Sequence, residues 1–286
     1  MTPQARFKCS LRDATFAILT RLTDRASISM HGHQIAAIAR FTVIEAWRTR
    51  LLLLYAVLLG LILGAAYFLQ QLAITESIRL QLAFSAAAIR LASVCVLCLH
   101  VSTSVTREFN DKGLELTLSF DLPRSHYILG RLAGFLIVAV LLAMMATLPQ
   151  LLLAPAPAAL LWGASLVLEL AIVAALSLFC VVTFTQLMPA ASFVCGFYLL
   201  ARALTALRLM SSAPLASADT LTHQLIGVLI DTLALLLPAL DDFAQSAWLI
   251  EGTANWAVLG ANAAQAGLYI ALLGAATMFD FYRKNL

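Results

Sequence analysis

Apolar residues run along this chain in long stretches rich in Leu and Ala, separated by short polar links. A helix needs about 20 such residues to cross a bilayer. Stretches that reach this length lie at 51–72, 82–105, 127–153, 160–184, 190–210 and 256–279, and each is expected to be a membrane-spanning helix. Barrel strands would instead alternate in polarity over segments of about 10 residues. The predicted class is an all-α polytopic membrane protein with six transmembrane helices, built as one transmembrane domain over 30–286.

Two stretches have an intermediate character. Residues 34–50 set Ile35, Ile38, Phe41 and Ile44 at helical spacing, with Trp47, Arg48 and Arg50 just before the first crossing. That pattern predicts a helix lying in the interface, its Trp at headgroup depth and its arginines reaching phosphates. Residues 222–240 are apolar enough for a seventh crossing, yet Asp231 sits near the centre and Pro238 near the end. Orientation decides between them. Eight Lys and Arg residues fall in the first 50 positions, which puts the N-terminus on the cytoplasmic side. Six crossings then return Arg283 and Lys284 to that side and leave Asp219, Asp231, Asp241, Asp242 and Glu251 on the other. Residues 222–240 are therefore expected to be re-entrant or interfacial. Residues 1–29 form a basic extension, either upstream of a start at Met30 or a short arm on the membrane surface.

Composition agrees with the pattern. The chain is 62% apolar and 12% charged, where a soluble domain has roughly 45–50% and about 25%. No segment is long and polar enough to form a separate soluble domain. Cys9, Cys95, Cys98, Cys180 and Cys195 fall mostly inside apolar runs, where a thiol acts as a small hydrophobe, and they suggest no disulfide framework. In Cys95-Val-Leu-Cys98-Leu-His100 the His does not follow the second Cys directly, as covalent haem attachment requires. No second cluster completes a zinc site, so no metal is expected. The reading is packing thiols and a hydrogen-bonded His100 near the inner interface; the alternative is a membrane redox or cofactor-binding subunit using His100. The sequence has no Gly-x-x-x-x-Gly-Lys-Ser/Thr loop, so this chain is not expected to hydrolyse ATP by that route. It also lacks a Ser-His-Asp, paired-carboxylate or His-Glu-x-x-His arrangement, and it is not expected to be an enzyme.

Charge is concentrated in two settings. Between the second and third crossings, residues 106–126 carry Arg107, Glu108, Asp111, Lys112, Glu115, Asp121 and Arg124. Both signs at that density belong in water and suit docking to a polar partner. Leu114, Leu116, Leu118, Phe120 and Leu122 alternate with polar residues, the period of a strand. An isolated strand in a short link has nothing to pair with, so helix is favoured there. Within the crossings stand Arg90, Glu169, Arg202 and Arg208. Each buried charge needs a partner or a wet surface. Counted from a hairpin midpoint near Leu187, Glu169 is 18 residues back, while Arg202 and Arg208 are 15 and 21 residues on. At 1.5 Å per residue the mismatch is about 4.5 Å either way. A Glu169–Arg202 pair is expected, Arg208 being the alternative; Arg90 is expected to reach headgroups. Glu169 also admits an ion-coupled secondary transporter.

In order, these features resemble the membrane subunit of an ABC-2 type exporter. The likeness lies in Glu45-Ala-Trp-Arg-Thr-Arg50 before the first crossing, similar to the family's elbow helix. It continues in Glu108 through Gly130, with Gly113, a leucine run ending in Pro123-Arg124, then Tyr127 and Gly130-Arg131. It ends with 235–243 and the closing Phe281-Tyr-Arg-Lys-Asn-Leu286. Leu114 stands where the family usually has Thr, and Arg131 where it has Lys. The resemblance implies a permease in the bacterial cytoplasmic membrane, both termini cytoplasmic, that pairs with itself or a sister permease amid membrane lipids. It further implies that 106–126, including Gly113, is a coupling segment docking on a separate ABC ATPase that holds ATP and Mg. No nucleic-acid partner is expected.

Overall fold

In a computed structural model, the structure describes residues 34–72, 77–110, 124–211, 232, 237–238, 240–251 and 256–283. Helix α1 covers 34–48, followed by α2 (Leu51–Leu72), α3 (Ser77–Asn110), α4 (Arg124–Leu153), α5 (Ala156–Phe184) and α6 (Leu187–Ser211). A 3-10 turn at Leu240–Asp242 precedes α7 (Ser246–Glu251) and α8 (Trp256–Arg283). No strand occurs among the described residues.

Five of these helices, α2 to α5 and α8, are long and apolar enough to cross a membrane. Over the expected fifth crossing α6 is continuous, and its Leu187–Ala203 part is a shorter apolar helix. Buried fraction ranks the helices: 78% of the most apolar window of α5 is buried, against 17% for α2 and 11% for α8. Helix α5 is thus the axis of the bundle. Helices α3, α4, α6 and α8 pack around it, and α2 and α8 turn most of their surface outward.

The breaks between helices follow local chemistry. Helix α4 stops at Leu153, and α5 begins at Ala156, inside the Pro-rich stretch and earlier than position 160. Pro157 falls in the first turn of α5, where its missing N–H would have had no partner in any case. Helix α5 ends at Thr185, which takes a left-handed φ of 57° and returns its N–H to Val181 O at 2.9 Å. The helix start of α6 comes two residues later.

Helix α1 lies against α4 on small residues. A β-carbon on Gly130 would stand 2.8 Å from Ile38 Cβ, and one on Gly134 would stand 2.6 Å from Thr42 Cβ. Only glycine allows the two backbones to come this close. The opposite face of α1 is bare: Phe41, Ile44 and Trp47 are exposed, with Arg40 and Arg48 beside them.

Candidate functional site

Two polar clusters interrupt the apolar bundle. The first is built on Arg131, which lies about two turns inside α4 and is only 2% exposed. Its Nη1 donates to Glu45 Oε2 on α1 at 3.0 Å and to Thr42 Oγ1 at 3.1 Å. Its Nε donates to Glu108 Oε2 on the last turn of α3 at 2.9 Å, and Nη2 pairs with the same carboxylate. Ser104 donates to the other oxygen of Glu45 at 2.8 Å. Phe135, one turn along α4, lies under the guanidinium with its ring centre at 5.6 Å. A planar fork with five donors in fixed directions serves two carboxylates and a hydroxyl at once, more than the three donors of an ammonium can hold in set directions. Arg131 therefore ties α1, α3 and α4 into one junction.

The second cluster surrounds Glu169, which is fully buried on α5. Tyr198 of α6 donates to its Oε1 at 2.8 Å, and Arg202 Nη1 lies 3.7 Å from the same oxygen. Its Oε2 has no hydrogen-bond partner among the described residues. Around it the chain turns back through 240–244. Arg202 donates to Leu240 O at 2.8 Å and to Phe243 O at 3.4 Å. Ala244 O accepts from both Arg90 Nη1 at 2.8 Å and Trp162 Nε1 at 3.0 Å, while Ala244 N–H donates to Ser165 Oγ at 3.0 Å. Trp162, Ser165 and Glu169 recur on one face of α5, and Tyr198 and Arg202 stand one turn apart on α6.

The clusters lie at opposite ends of the bundle. Arg90 and Glu108 are 18 residues apart on α3, or about 27 Å at helical rise, close to the roughly 30 Å hydrocarbon thickness. The Arg131 cluster falls near one edge of the apolar zone, while Arg90 and Arg202 lie eight residues, about 12 Å, inside the other ends of the apolar runs at 82–105 and 190–210.

No protein-family model and no curated protein matches the chain.

Several residues singled out from the sequence meet in these clusters. Glu108 is in the first, but it turns toward Arg131. Glu169 and Arg202 are in the second, at pairing distance. Arg90 is placed differently from expectation: it is buried and spends a donor on Ala244 O instead of reaching headgroups. A turn of backbone carbonyls within reach is a closer acceptor than the bilayer surface. His100 is also buried, its ring edge-on to Phe135 at 6.1 Å, and its Nε2 has no hydrogen-bond partner among the described residues. Cys95, Cys98, Cys180 and Cys195 are free thiols, and no group of three His, Cys, Asp or Glu could hold a metal ion among the described residues. Arg107 is exposed at the end of α3. Asp111, Lys112, Gly113, Glu115 and Asp121 lie outside the described residues, as do the side chains of Arg124 and Arg208 and most of 222–240.

Sequence reasoning named Glu45 and Arg131 separately and missed that they meet. Tyr198, Trp162 and Ser165 were missed entirely. The one-turn spacing of Tyr198 to Arg202, and of Trp162 and Ser165 toward Glu169, was the available signal.

Proposed function

We propose that this chain is the membrane-spanning subunit of an ATP-driven exporter of the ABC-2 type, acting in the bacterial cytoplasmic membrane. In this reading it forms half of a translocation path, completed by a second copy or a sister permease. A separate ABC ATPase supplies ATP and Mg and docks on 106–126. Helix α1 is the interfacial elbow, with Phe41, Ile44 and Trp47 facing lipid.

The observation that carries the reading is the Arg131 junction. The segment 111–123 follows the end of α3, two residues beyond Glu108, and joins α4 about two turns before Arg131. Both of its anchors belong to one ion-paired knot that also holds α1. A push on that segment therefore reaches three helices together. An ATPase whose grip differs between ATP-bound and free states would shift them between two arrangements. The order of sequence features, from elbow to charged link to closing basic residues, supports the same assignment.

The test is a mild-detergent pull-down of the tagged chain, with and without Asp111→Lys and Glu115→Lys; Glu108 is left intact because it holds Arg131. A co-purifying subunit with a phosphate-loop sequence, lost from the variant, is the expected result. A chain that purifies alone and stable sinks the proposal.

A second reading rests on Oε2 of fully buried Glu169, which has no hydrogen-bond partner among the described residues. A carboxylate so placed suits an ion-coupled transporter. That reading expects transport to survive ATP depletion and to collapse in Glu169→Gln.

A further inference from the structure

We infer that Arg90 and Arg202, with Trp162 and Ser165, form a binding socket for a phosphate-bearing anionic headgroup, and that the 240–244 turn occupies this socket as an internal stand-in. The inference does not depend on the exporter reading, because it is tested on the chain alone with no ATPase present.

Two arginines from different helices reach the same short turn. Arg90 of α3 donates to Ala244 O at 2.8 Å, and Arg202 of α6 donates to Leu240 O at 2.8 Å. Both acceptors are neutral. A guanidinium bonds more strongly to an anionic oxygen, and its fork matches phosphate geometry. On the turn, Arg90 and Arg202 thus hold acceptors weaker than those a guanidinium is shaped for, although Arg202 Nη1 also lies 3.7 Å from Glu169 Oε1.

The turn is also held by its main chain. Trp162 Nε1 shares Ala244 O at 3.0 Å, and Ala244 N–H reaches Ser165 Oγ at 3.0 Å. No side chain of the turn supplies any of these bonds. Ala244 takes a φ of 45°, a conformation that residues with a β-carbon rarely adopt. Seating the turn therefore carries a conformational cost, which its release would relieve.

Charge decides what replaces the turn. Seated, the site holds, among the described residues, two cations, Arg90 and Arg202, and two carboxylates, Glu169 and Asp241, with Tyr198 beside them. Asp241 is part of the turn and leaves with it. Glu169 has no exposed side-chain surface and stays. One carboxylate then faces two guanidiniums, and a surplus positive charge in an apolar site calls for a single anionic partner. Arg202, with 23% of its side chain exposed, marks the open side by which that partner arrives. Arg90 and Arg202 stand eight residues, about 12 Å, inside the ends of their apolar runs, so the anion is drawn below the surface to meet them.

The experiment is hydrogen–deuterium exchange of peptides covering 240–244 in the full-length chain held in nanodiscs. Three conditions are compared: phosphatidylcholine alone, phosphatidylcholine with phosphatidylglycerol, and phosphatidylcholine with inorganic phosphate in solution. The expected result is a rise in exchange of about tenfold with a phosphate-bearing anion, while α5 stays protected. A response to phosphatidylglycerol only assigns the ligand as lipid; a response to inorganic phosphate as well assigns a soluble anion. Equal exchange in all three conditions overturns the socket and leaves the turn a permanent clamp. An Arg90→Lys and Arg202→Lys variant keeps both charges and loses both forks, and its response should shrink several-fold. A variant response equal to that of the native chain places the anion elsewhere and overturns the inference too.

Discussion

Gly134 on α4 and Thr42 on α1 approach so closely that a β-carbon at position 134 would stand 2.6 Å from Thr42 Cβ. Thr42 is itself fixed twice, by its hydroxyl to Ile38 O at 3.1 Å and by Arg131 at 3.1 Å. It cannot move aside without loosening the junction. Gly134→Leu should therefore lift α1 from α4, at a cost of about 1–3 kcal/mol for overpacking. The check is a lowered apparent melting temperature in detergent together with faster hydrogen exchange in α1, while α5 stays protected.

Removing Arg131 leaves two carboxylates without their shared cation. Arg131→Met should destabilise the chain strongly, since breaking a buried pair costs about 3–5 kcal/mol. Glu45 and Glu108 are 20% and 17% exposed on their side chains, which places the loss toward the lower end of that range. Adding Glu45→Gln and Glu108→Gln should recover part of it. Thermal unfolding of the single and triple variants tests this; equal losses in the two would show that packing, not charge, sets the penalty.

Tyr198→Phe deletes the hydroxyl that, among the described residues, donates to Glu169, at 2.8 Å. Hydrogen bonds between membrane helices are worth about 0.6 kcal/mol on average and up to about 1.7. The upper end is expected here, because Glu169 is fully buried and cannot turn to water. A double-mutant cycle with Glu169→Leu, which leaves no acceptor for the tyrosine hydroxyl, should return a coupling of about 1.5 kcal/mol. A coupling near zero would mean that Arg202 alone holds the carboxylate.

Ser165→Ala should weaken the docked turn more than Trp162→Phe does. The serine is the acceptor for Ala244 N–H, so its loss leaves a buried donor unpaired, at about 1–3 kcal/mol. The indole shares Ala244 O with Arg90, so its loss leaves the carbonyl satisfied. Hydrogen exchange of 240–244 in the two variants ranks them directly; the reverse order would contradict the arrangement.

The apolar helices were legible because a membrane crossing writes itself as an uninterrupted run, and length alone predicts it. Helix α3 extends past that signal to Asn110, because Arg107, Glu108 and Asn110 end it in polar residues that hydropathy assigns to a link. The Glu169–Arg202 approach was legible too, since a tight hairpin fixes the register of its two helices. The Arg131 junction was not. Glu45, Glu108 and Arg131 come from three separated stretches, and only the crossing of α1 over Gly130 and Gly134 brings them together. Those two glycines, one turn apart, were the trace that contact left in the sequence. Arg90 was misplaced for a similar reason: its acceptor, Ala244 O, is 154 positions away.

Only Ala154 and Pro155 separate α4 from α5. So short a connector forbids the two helices from sliding lengthwise past each other, and their neighbours hold them side by side. Arg131 sits on one member of this pair, and Trp162, Ser165 and Glu169 on the other. The ion-paired knot and the second polar cluster are therefore carried by two helices joined end to end, with Pro149 in α4 just before the joint. The turn at 240–244 rests on α5 through Trp162 and Ser165, so it is tied to the knot through a connection of only two residues.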